Sequence, residues 1–153
     1  MSLFRERMAQ AEKHESTVRG MLEERGWLTI PFGQSQLTEQ ARDQLKRFDT
    51  PLRWIPDILT VKNTELILID AKTTRRVDTG NVDIEKASFD AHIALTGIWR
   101  VKIFYVWFDY SVCDVWTVND HGRIGQWRGN GSGTPFILVP RSVMRPFDEV
   151  FGR

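Results

Sequence analysis

The sequence predicts an α/β fold, a single mixed β-sheet of about five strands flanked by helices, and three observations carry that prediction. Residues 2–25 are charged throughout, with apolar side chains recurring at helical spacing. Residues 54–61 and 66–71 are two runs rich in branched apolar side chains, parted by the polar triplet Lys62-Asn63-Thr64, which is the pattern of a β-hairpin. Residues 82–99 then read as a helix and lead into residues 101–107, apolar but for Lys102. Helices and strands in this order build layered α/β proteins.

In the first segment Val18, Met21 and Leu22 share one helical face, and Gly26 stands where helices commonly stop. Trp27, Leu28, Ile30 and Phe32 form a short strand closed by Pro31 and Gly33. Thr38 is placed to cap a second helix reaching Phe48, with Ala41, Leu45 and Phe48 as its apolar stripe and Asp49-Thr50-Pro51 as its stop. Beyond the hairpin, Ile84, Ala87, Ala91, Ile93 and Leu95 mark the helix over 82–99. Residues 113–118 are expected as another strand, the glycine-rich 121–134 as a loop, and 136–139 as a last edge strand. Residues 136–151, with Pro140, Pro146 and several apolar side chains, suit either a partner's surface or the chain's own core. One domain over 1–153 is expected, with its core at about 5–120 and a C-terminal extension at 121–153.

Composition excludes several function classes. The 21 basic and 20 acidic side chains leave a formal charge of +1, so any surface for a polyanion must be local. Cys113 is the only cysteine, which rules out a disulfide framework or a cysteine-built zinc cluster within the chain and fits a reducing compartment. No run approaches ~18 consecutive apolar residues, and residues 1–25 lack the apolar stretch of a signal peptide, so a cytoplasmic protein without a membrane partner is expected. Six tryptophans fill cores as readily as they stack on bases and identify no function.

The hairpin carries the chemistry. Pro56-Asp57 opens one strand and Ile69-Asp70-Ala71-Lys72 ends the next, so pairing about a turn at Asn63 makes Asp57 and Asp70 near cross-strand neighbours. Alternation turns Asp70 and Lys72 to one face and Ala71 to the other, with Ile67 and Ile69. Two carboxylates at the edge of an apolar strand repel each other unless a cation joins them. Mg²⁺ prefers oxygen ligands and keeps waters, so Asp57, Asp70 and the Ala71 backbone carbonyl suit Mg²⁺ or Mn²⁺. The Lys72 ammonium could then hold or help deprotonate an attacking water and offset charge growing on a phosphate.

These residues resemble the PD-(D/E)XK nuclease superfamily, whose pattern is Pro-Asp, a variable spacer, then an acid, any residue and lysine. The resemblance implies a restriction-endonuclease-like core and metal-dependent hydrolysis of DNA phosphodiester bonds. Upstream, Glu15-Ser-Thr-Val18-Arg-Gly-Met-Leu22-Glu-Glu-Arg-Gly26-Trp27 resembles the opening helix of archaeal Holliday-junction resolvases. That likeness implies a further acid from the helix, Glu15 by position or Glu12 one turn earlier, and a branched or duplex DNA substrate. It covers about the first 110 residues in order of elements; the extra segment 34–53 departs from it.

Thr73, Thr74, Arg75 and Arg76 follow the lysine and suit phosphates on either side of a cut. Arg42, Lys46, Arg47 and Arg53 read equally as a second basic strip or as a solvated face. His14, His92 and His121 receive no role, and Gly-Asn-Gly-Ser-Gly at 129–133 lacks the lysine and helix of a phosphate loop. Cutting a branched junction takes two symmetric incisions, so that substrate implies a homodimer. A non-enzymatic DNA-binding or assembly module on the same fold, or an RNA-directed nuclease, stands beside this reading.

Overall fold

The computed structural model describes residues 2–73, 80–126 and 133–153. Helix α1 spans Leu3–Glu24 and is capped by the Ser2 hydroxyl, which accepts from the Arg5 amide at 3.3 Å. It ends at Gly26, where φ of +83° needs a residue without a β-carbon. Its buried face, Val18 and Leu22, packs on Ile67, Ile69, Phe104 and Val106, so the helix exists by virtue of the sheet beneath it.

Strands β1 (Leu28–Pro31), β2 (Ile58–Lys62) and β3 (Glu65–Lys72) form an antiparallel meander. The hairpin turns on Asn63, at φ +54°, a left-handed conformation that asparagine tolerates. Strand β4 (Val82–Glu85) passes directly into helix α3 (Lys86–Trp99), after α2 (Glu39–Leu45) between β1 and β2. The α3 crossover returns the chain to β5 (Lys102–Trp107), which pairs parallel with β3. Strand β6 (Ser111–Asp114), helix α4 (Val115–His121), strands β7 (Arg123–Gln126), β8 (Pro135–Val139) and β9 (Arg145–Pro146) and helix α5 (Phe147–Phe151) complete the order.

The main sheet is mixed and six-stranded, in the order β1-β2-β3-β5-β6-β9; a second sheet, β4-β8-β7, is antiparallel. The main sheet is buried on both faces. Leu68, Ile103 and Tyr105 join Phe89 and Leu95 of α3 and Ile84, Ile137 and Val139 of the second sheet, while Ile67, Ile69 and Val106 face α1 and α5. No helix among the described residues is long and apolar enough to cross a membrane.

Several expected elements differ. Residues 82–85 are a strand, not the first turn of a helix, because Val82 and Ile84 alternate inward with Asp83 and Glu85 and no glycine or proline marks the join. The strand expected over 113–118 stops at Asp114, whose carboxylate caps α4 by accepting from the Thr117 amide at 3.2 Å. Arg123–Gln126 within the expected loop is β7, and 127–132 lie outside the described residues. Pro135–Val139 is the middle strand of the second sheet rather than an edge. Helix α2 ends at Leu45, and Phe48 is 60% exposed, so the stripe ending in Phe48 buries nothing there. The C-terminal segment covers its own core: Phe147 and Phe151 are buried, and the Trp27 indole donates to the Phe151 carbonyl at 2.9 Å.

Candidate acid–lysine site

Asp57 stands immediately ahead of β2, in a turn that two upstream amides hold. Phe32 and Gly33 both donate to the Asp57 carbonyl, at 2.8 and 3.2 Å. A β-carbon on Gly33 would lie 2.9 Å from Asp57 Cα and 3.0 Å from the Pro56 oxygen, so only glycine lets the strands approach this closely. The Asp57 side chain then accepts from the Ala71 amide at 2.8 Å, joining the two halves of the motif across the hairpin.

Asp70 and Lys72 project from β3 on the face of Leu68, opposite Tyr105 and Trp107 of β5. Lys72 Nζ lies 2.7 Å from Asp70 Oδ2, 5.7 Å from the Tyr105 ring centroid and within 3.5 Å of the Ser88 hydroxyl. The structure therefore brings Asp57, Asp70, Ala71 and Lys72 together. They line one cavity of about 210 Å³ with Gln34, Arg53, Trp54 and Glu85. A larger cavity of about 490 Å³ by Arg25 and Arg145 lacks this grouping, and its Asp148 is already paired with Arg25 at 2.6 Å.

Glu15 is half-buried on α1 and belongs to the same electrostatic cluster. Burial pushes its carboxyl up, Arg19 and a hydrogen bond from Ser35 pull it down, and Asp70 and Glu12 push it up further. Asp70 acts on the Glu15 carboxyl and Glu15 on that of Asp57, whereas Glu12, one turn earlier on α1, is exposed. Thr73 follows β3 directly; Thr74, Arg75 and Arg76 lie outside the described residues.

The charges in this cavity are strained. Burial raises the Asp57 carboxyl well above the ordinary range, and Asp70 and Glu15 push the same way against the Ala71 amide and Lys72. Burial also raises Asp70, but Lys72, His92 and hydrogen bonds from Lys72 and Asp57 together carry it below its usual value. Lys72 loses basicity through burial yet ends above its usual value because Asp70, Asp57 and Glu85 surround it. Lys72 is thus an ammonium at neutral pH. Crowding raises Asp57 and Glu15 toward their neutral forms, and a divalent cation among these oxygens would favour the ionised forms instead.

The donor set is all oxygen, which suits a hard cation. Among the described residues no group of three His, Cys, Asp or Glu is placed to hold a metal ion, so a cation here would rest on one or two carboxylates and keep its waters, as Mg²⁺ commonly does. Cys113 is buried, and burial followed by Asp114 pushes its thiol up to about 12, so it is no nucleophile.

Sequence reasoning gave no role to His92, Tyr105 or Gly33. His92 and Tyr105 meet behind Asp70, with Nδ1 2.8 Å from the hydroxyl oxygen. Their thirteen-residue separation left no local signal. Gly33 carried one, since a glycine after an apolar strand marks a close backbone approach.

No protein-family model and no curated protein matches the chain. Solved structures do. A Holliday junction resolvase, Hjc, from the archaeal hyperthermophile Archaeoglobus fulgidus aligns with a TM-score of 0.58 at 12% identity, over 92% of this chain and 97% of that one. A nuclease from a fusselovirus aligns with a TM-score of 0.52 at 8% identity, over 99% and 91%. At such identities the likeness is one of fold. The resolvase-like α/β fold expected from the motif is the fold of this chain.

Proposed function

We propose that the protein is a divalent-cation-dependent nuclease that hydrolyses phosphodiester bonds in DNA. One observation carries the reading: half-buried Asp57 and buried Asp70 line one cavity at the C-terminal end of β3, with Lys72 Nζ 2.7 Å from Asp70 Oδ2, in a resolvase-like fold. Open α/β sheets commonly bind ligands beyond the carboxyl ends of their strands.

Asp57 and Asp70 would hold Mg²⁺ or Mn²⁺, with the Ala71 carbonyl and Glu15 as further oxygen donors. When bound, the cation supplies charge neutralisation and Lewis acidity at the phosphate. Lys72 would hold or help deprotonate the attacking water and meet charge growing on the phosphate. Asp70 holds its ammonium in place. Thr73, with Thr74, Arg75 and Arg76, would grip the flanking backbone.

The resolvase neighbour supports a branched substrate, and two symmetric incisions would then bring a homodimer. The test is a panel of four-way junction, flap, single-stranded and linear duplex DNA, with an RNA competitor, in Mg²⁺. Cleavage of a DNA form by wild type and its loss in Asp70→Ala and Lys72→Ala support the proposal. Equal cleavage by folded variants defeats it.

A further inference from the structure

Behind the acid–lysine pair, His92 is only 1% exposed, yet both its ring nitrogens are engaged. Nε2 lies 2.7 Å from the Trp54 carbonyl oxygen, and Nδ1 lies 2.8 Å from the Tyr105 hydroxyl. A carbonyl oxygen can only accept, so Nε2 must carry the hydrogen. In a neutral ring Nδ1 is then the acceptor, and the Tyr105 hydroxyl donates to it. Burial favours the neutral ring, as does Lys72, against the opposing pulls of Asp70 and of the Trp54 hydrogen bond. Both nitrogens are spent, which leaves neither for a ligand or a travelling proton.

The two partners belong to opposite sides of the site. Tyr105 is the register neighbour of Asp70 on β5, and its ring lies under the Lys72 ammonium. Trp54 ends the turn Pro51–Trp54, three residues before Asp57. One imidazole on α3 therefore ties the strand pair bearing Asp70 and Lys72 to the turn bearing Asp57.

We infer that His92 is a positioning residue, which as a neutral Nε2–H imidazole fixes the Trp54 turn, and through it Asp57, against the β3–β5 pair. The inference rests on reading Asp57, Asp70 and Lys72 as a cation site. Glutamine can set an amide nitrogen where Nε2 stands, whereas asparagine reaches only to the position of Nδ1. His92→Gln can keep the donor to Trp54, and His92→Asn cannot.

The chain has three histidines, so nitrogen NMR of histidine-labelled protein at neutral pH resolves them, and loss of a signal in His92→Gln identifies His92. The expected result is the Nε2–H tautomer. An Nδ1–H tautomer or an imidazolium overturns the inference, whatever the protein cleaves. In cleavage, the half-saturating Mn²⁺ concentration should rise about 10-fold in His92→Asn, as for other residues that orient ligands, and return close to wild type in His92→Gln. A merely structural role would lower the melting temperature and leave the Mn²⁺ requirement unchanged, and that result also overturns it. A wild-type protein that takes up no Mn²⁺ removes the cation reading alone, and the tautomer then decides the tie by itself.

Discussion

At the residue scale, the acid–lysine site is a place where the fold stores electrostatic cost. Asp57 has a folded-state value above that of an unfolded carboxyl, for which burial and then Asp70 and Glu15 are responsible. It therefore adds stability below pH ~4 and withdraws it as pH rises through the folded value. Asp57→Asn keeps an oxygen to accept from the Ala71 amide and removes the charge. In chelator at pH 8 that variant should melt above wild type; a relief on the order of 1 kcal/mol corresponds to about 2–4 °C in a chain of this size. The gain should shrink toward pH 4, and thermal scans at both pH values check it. The Asp57, Asp70 and Lys72 constellation was legible in sequence because hairpin pairing and strand alternation are local rules. A third acid from α1 was not legible from such rules, because whether Glu15 or Glu12 approaches the hairpin depends on how α1 lies across the sheet. Nor was His92, whose partners are thirteen and thirty-eight residues away.

At the element scale, the turn that carries Asp57 depends on a close backbone approach at Gly33. A β-carbon at Gly33 forces the Pro56-Asp57 backbone to move, since the nearest atoms are main chain at 2.9 and 3.0 Å. Gly33→Ala should lower cleavage by about 10²-fold, the scale of a misplaced catalytic group, and leave circular dichroism native. Asp114→Ala removes the cap of α4, far from the chemistry, and should cost about 1 kcal/mol in denaturant melts with cleavage intact. The hairpin, α1 and β5 were legible because each has one strong period. Strand β4 was not, because Val82 and Ile84 run without punctuation into α3; β7 was hidden by its length of four residues and its polar content.

At the scale of the whole molecule, the C-terminal segment completes the core under α1. Phe151 is 2% exposed, meets Trp27 edge-on at 6.1 Å and packs against Phe104 and Phe147. Phe151→Ala should cost about 3–5 kcal/mol and lower the melting temperature by roughly 6 °C or more, read by calorimetry. The α/β class was legible from the order of elements. The sixth strand and the second sheet were not, because both depend on the short strands β7, β8 and β9 pairing with each other or with strands distant in sequence.

The proposed chemistry requires Asp57 and Asp70 jointly to hold a divalent cation beside Lys72. Calorimetric titration of Mn²⁺ into wild type and into the folded Asp57→Asn/Asp70→Asn double variant tests that most directly. Saturable uptake by wild type that vanishes in the double variant is the predicted result. Uptake unchanged by the double substitution, or none in wild type, would contradict it.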